Sequence, residues 1–126
     1  MKVKPLFVIQ GVLFALTGIM FLVIPVFAMD MFVGELGVTE SFYVLTRMVG
    51  GTGIALAVIL FGATRFQEIL AKRIIAAAMV VAGVASAVLH AYGVVVDAIM
   101  PAGWVMVVIE GVLALLFAST FLTKEP

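Results

Sequence analysis

The sequence predicts an all-α membrane protein: a four-transmembrane-helix bundle running up-down-up-down, with both termini in the cytoplasm. Three observations lead there. Hydrophobic residues make up 66% of the 126-residue chain and charged residues only 11%, with a mean hydropathy of +1.38, whereas a water-soluble domain carries about 45–50% apolar and about 25% charged residues. The apolar residues fall into four runs, each near the roughly 20 residues that cross a hydrocarbon core. Finally, Lys2, Lys4, Arg65, Lys72, Arg73 and Lys124 gather on one side of such a path, and the connections on the other side hold no Lys or Arg. The positive-inside rule makes the basic side cytoplasmic. The expected location is the plasma (inner) membrane, multi-pass, with the lipid bilayer as the first partner.

The remaining composition narrows the function. Seven basic residues balance seven acidic ones, so no overall field favours nucleic acid or another polyanion. The absence of cysteine removes disulfides, thiolate metal sites, iron–sulfur clusters and Cys-x-x-Cys redox chemistry. A single histidine excludes a bis-histidine haem within one chain.

In chain order, Met1-Lys-Val-Lys-Pro is a basic lead whose Pro5 suits a first helical turn. The first span covers about residues 6–28, with Pro25 bending or ending its far end. Basic residues before an apolar run also fit a signal peptide, with Val26-Phe-Ala as its cleavage site. The run is longer than the roughly 7–15 residues of such an h-region, so it is read as a retained helix. Residues 30–41 form a polar connection with Asp30, Glu35 and Glu40, and with Gly34 and Gly37 as turn formers. The second span, 42–63, carries Arg47 and several glycines. A connection over 64–73 holds Arg65, Glu68, Lys72 and Arg73, and the third span, 74–96, holds Ser86 and His90. A turn at 97–103 contains Pro101, and the fourth span, 104–122, carries Glu110, with Trp104 anchoring the outer interface. Connections this short make residues 1–126 one domain.

Helices in lipid approach through small residues and polar contacts. The expected packing positions are Gly50, Gly51 and Gly53 in the second span, Ser86 in a stripe with Ala78 and Ala82 in the third, and Gly111 in the fourth. The same small side chains could instead leave room for a ligand.

Three polar residues in the spans carry the functional reading. Counted from the nearest outer helix end, Arg47, His90 and Glu110 all lie roughly 8–9 Å deep at 1.5 Å per residue. A charge at that depth needs a partner, and a guanidinium cannot shed its proton. A bidentate Arg47–Glu110 bridge is therefore expected, the competing reading being that Arg47 snorkels to the headgroups. Tyr43 and Tyr92 lie near the same outer face, as pocket walls or as an aromatic belt. Gln10 is placed outside this layer. One His and one Glu are too few for a metal site. No nucleophile–base pair or phosphate loop is present, so no catalytic residue, metal or cofactor is expected.

The order of these features resembles the DoxX/DoxD-like group of small four-helix membrane proteins, and within it an uncharacterised domain-of-unknown-function family. The residues that carry the resemblance are Pro25 ending the first span, Arg47 before Gly50 and Gly51, Pro101 in the last turn, and Glu110. Where that pattern often has a second basic residue near the outer end of the third span, this chain has His90. The resemblance implies fold and membrane location. The sequence as a whole leads to a non-enzymatic accessory or assembly subunit, or a homo-oligomer, with a buried Arg–Glu–His cluster near the outer leaflet. The alternative is a binding protein for a lipid, quinone or other small amphipathic ligand between the helices, with proton handling at Glu110 and His90.

Overall fold

A computed structural model describes residues 2–33, 40–96 and 99–122. The expected turn formers Gly34 and Gly37, together with Glu35, Asp97 and Lys124, lie outside the described residues. The elements are helices α1 (Val3–Val23), α2 (Pro25–Val33), α3 (Glu40–Ala63), α4 (Ile69–Val95) and α5 (Gly103–Ser119), followed by a 3-10 turn at Thr120–Leu122. Four stretches, Val3–Val23, Phe42–Ala63, Ile69–Val95 and Gly103–Leu122, are long and apolar enough to cross a membrane. At 1.5 Å per residue α1 alone is about 31 Å long, matching a hydrocarbon core of about 30 Å. The outward faces are apolar as well: Leu115, Val81 and Leu70 are 71%, 70% and 69% exposed. Helices apolar all round belong in lipid rather than in water.

Two helix boundaries differ from those expected. The first span ends at Val23, not near 28, and Pro25, expected to bend or end it, opens a separate nine-residue helix that takes in Asp30, expected in the connection. Ile24, which precedes the proline, is forced out of the helical region to φ −127°, ψ 57°. Its N–H still donates to Met20 O and its carbonyl accepts from Ala28 N–H, each at 3.0 Å. Pro25 thus takes the first position of a helix, where its missing N–H costs nothing. In the same way α4 begins at Ile69 rather than 74, taking in Lys72 and Arg73. Lys72 is buried and Arg73 exposed on the turn so gained; a long charged side chain need not end a helix, because its stem can lie along apolar surface.

The helices pair through glycine. A Cβ added to Gly50 would lie 2.7 Å from Gly18 O and 2.8 Å from Leu22 N, and one on Gly18 would lie 2.8 Å from Gly50 O. Gly53 is nearly as tight, with Phe14 O at 3.2 Å. The α1 and α3 backbones are therefore in direct contact, and the contacts run in reverse order, Gly11 meeting Phe61 while Gly18 meets Gly50. Between α4 and α5 the close point is Gly83, whose Cβ would sit 3.1 Å from Ala114 Cβ and 3.2 Å from Glu110 O. The turn joining these two helices is filled by Ile99, seated against Gly93 and Gly103. Gly51 and Gly111, expected to pack, have nothing within 4 Å of an added Cβ. They face away from the contacts.

Among the described residues, the two pairs share one buried cluster, formed by Val3, Leu6 and Phe7 of α1, Leu60 and Ala63 of α3, Ala76 of α4 and Phe117 of α5. The Phe7 and Phe117 rings pack at 5.9 Å between centroids, tilted by 32°. Beyond this cluster the pairs part and leave a cleft lined by all four long helices.

The glycine contacts make a paired prediction for thermal unfolding in mild detergent. Gly50→Ala is expected to lower stability by about 1–3 kcal/mol, since backbone atoms have nowhere to move. Gly51→Ala, next in sequence, should not lower it.

Candidate functional site

Ser86 and His90 stand one turn apart on α4, so both side chains leave the same face of that helix. Gly83, three residues before Ser86, lets α5 come close enough for Glu110 to reach them. Ser86 Oγ donates to Glu110 Oε1 at 2.7 Å. His90 Nδ1 lies 3.0 Å from Ser86 O and 3.1 Å from Glu110 Oε2. A backbone carbonyl can only accept, so the contact with Ser86 O requires the ring hydrogen on Nδ1. Glu110 thus has the serine hydroxyl hydrogen on Oε1 and the imidazole Nδ1 beside Oε2.

The two carboxylate oxygens are not equivalent. Oε1 holds the serine hydrogen bond, while Oε2 is fully covered and accepts no hydrogen bond of good geometry. The Nδ1–H aims at Ser86 O and only passes beside Oε2. A buried acceptor left in this state is costly, and the cost is greater for a charged group.

The triplet stands in the wall of the cleft, which has a volume of about 710 Å³. Leu13, Phe14 and Phe21 of α1, Met48 and Leu56 of α3, and Ile109 of α5 supply much of its apolar lining. A side chamber of about 130 Å³ joins Gln10 to Ser86 and Glu110. Thr17 and Thr52 also line the cleft, and their hydroxyls donate to Leu13 O and Met48 O of their own helices. Large apolar walls with a few converging polar groups are the usual make-up of a small-molecule site.

The expected layer is therefore partly assembled. His90 and Glu110 come together, but Arg47 does not join them. Its side chain is exposed, it does not line the cleft, and among the described residues the group within ion-pair distance of Glu110 is His90. Equal depth did not imply a shared face, and the Arg47–Glu110 bridge is absent. Tyr43 and Tyr92 do not line the cleft either, Tyr92 being 66% exposed. Ser86, expected as a packing residue, is the hydrogen-bond donor of the site. Gln10, placed outside the layer, lines the same space, because the cleft extends further along α1 than the layer does. Comparison with protein-family models, curated proteins and solved structures returns no match.

Double-mutant cycles on stability separate these contacts. Ser86→Ala and Glu110→Ala should couple by about 1 kcal/mol or more, as groups sharing a hydrogen bond do. Arg47→Ala and Glu110→Ala should be additive to within about 0.5 kcal/mol.

Proposed function

We propose that this chain is an integral membrane protein that binds an amphipathic small molecule in the cleft between its two helix pairs. The apolar part of the ligand lies along the walls, and its polar end lies at Ser86, His90 and Glu110. The observation that carries the reading is the position of a hydrogen-bonded carboxylate in the wall of an apolar cleft large enough for such a ligand. A polar group at membrane depth is expensive, and where it faces a cavity it marks a binding or transport path more often than a packing contact. The accessory-subunit reading rests instead on small-residue stripes and on the lack of a catalytic constellation. Neither of those accounts for the cleft.

The placement in the bilayer is part of the proposal. The reversed contact order of the helices supports an up-down-up-down path, and Lys2, Lys4, Arg65 and Lys72 flank the end closed by the Phe7–Phe117 cluster. By the positive-inside rule that end is cytoplasmic, so the cleft opens within the outer half of the inner membrane. Exposed Arg47, near the outer end of α3, then reaches the headgroups along its own stem. The resemblance to the DoxX/DoxD-like group supports the same placement and is silent on the ligand. The reading is of binding, with no reaction assigned.

Native mass spectrometry of protein extracted in mild detergent tests it. An adduct of lipid or small-amphiphile mass is expected on the wild type. Leu56→Trp, which puts a larger side chain into the cleft, should lose the adduct, while Leu115→Trp on the outward face of α5 should keep it. Equal retention by both variants would contradict a ligand in the cleft.

A further inference from the structure

The polar atoms of the cleft share one chemical bias. Ser86 has donated its hydroxyl hydrogen to Glu110 Oε1, Thr17 to Leu13 O and Thr52 to Met48 O. What these three side chains have left for a ligand is acceptor lone pairs. The His90 ring carries its hydrogen on Nδ1, toward Ser86 O, and its Nε2 makes no hydrogen bond among the described residues. With that hydrogen on Nδ1, the neutral ring presents Nε2 as a further acceptor. Glu110 Oε2 also accepts no hydrogen bond, but it is fully covered, so a ligand head meets the carboxylate beside that atom. Against these stands one donor group, the Gln10 amide. Among the described residues lining the cleft there is no Lys or Arg.

Resting on the binding reading above, we propose that the ligand is a cationic amphiphile with N–H donors, a protonated alkyl amine in the simplest case. An ammonium head supplies both things the wall lacks, a positive charge and hydrogen-bond donors. On the bilayer placement proposed above, its attraction to the Glu110 carboxylate acts at membrane depth, where opposite charges interact more strongly than in solvent. Phe14, which also lines the cleft, adds an aromatic ring of the kind that attracts a cation. An anionic head would meet a carboxylate and a row of acceptors. A neutral alcohol would find acceptors and no compensation for the charge.

Three probes with one tail test this: dodecylammonium, dodecanol and dodecanoate. Their saturable binding is measured on the whole chain in phosphatidylcholine nanodiscs, against empty nanodiscs, at neutral pH. Dodecylammonium is expected to bind at least about tenfold more tightly than dodecanol, a difference of about 1.4 kcal/mol, with dodecanoate weakest. Glu110→Gln should bring the amine to the level of the alcohol. The comparison among probes uses the wild type, so it stands even if the variant does not fold. Equal binding of amine and alcohol, or a preference for dodecanoate, would overturn the cation assignment and leave the cleft as a binding site. No saturable binding of any probe would overturn both.

Discussion

Lipid tails give two apolar helices no reason to prefer each other, so helix pairing in this chain depends on backbones coming into contact at glycine. That contact is made twice. Gly18, Gly50 and Gly53 bring α1 against α3, and Gly83 brings α5 against α4. Between the two pairs the meeting point is built from Phe7, Phe117 and Leu60, side chains too large to allow backbone contact. The pairs are therefore held apart by bulky groups at one end, and among the described residues no glycine brings one pair against the other. The cleft follows from where the glycines are.

The polar site depends on the same seam. A buried carboxylate needs hydrogen-bond donors, and the one that Glu110 has, the Ser86 hydroxyl, comes from the neighbouring helix. Ser86 and His90 reach it because Gly83 has no side chain to hold α5 away. A site on a rigid helix pair is more sharply positioned than one on a loop, and here both helices of the pair contribute. The opposite wall, from α1 and α3, adds apolar surface, the Gln10 amide and two threonines with their hydroxyl hydrogens already donated. The polar and the mainly apolar walls of the cleft thus come from different pairs.

Much of the fold was legible because membrane spans are dictated by length and hydropathy. All four spans are present, and the differences lie at their ends. Pro25 was read as bending or ending the first span; the span does break there, and the same ring begins the next helix. Lys72 and Arg73 were read as loop, although an interface lets charged side chains continue a helix. The site was legible in depth and not in direction. Counting residues from helix ends brought His90 and Glu110 together correctly because their helices are consecutive and closely paired. The same count included Arg47, whose helix pairs with α1 and turns that side chain outward. The role of Ser86 was readable in principle from its i, i+4 spacing to His90. The large stripe of small residues around it drew the reading toward packing.

The central claim is that the two helix pairs stay apart around an occupied cleft with Glu110 in its wall. An experimental structure of the protein in native lipid nanodiscs tests this most directly. The account predicts elongated density between the pairs, running along Phe14 and Leu56 and ending at Ser86, His90 and Glu110. Four helices closed upon one another, with Glu110 turned toward Arg47 and no space between the pairs, would contradict it.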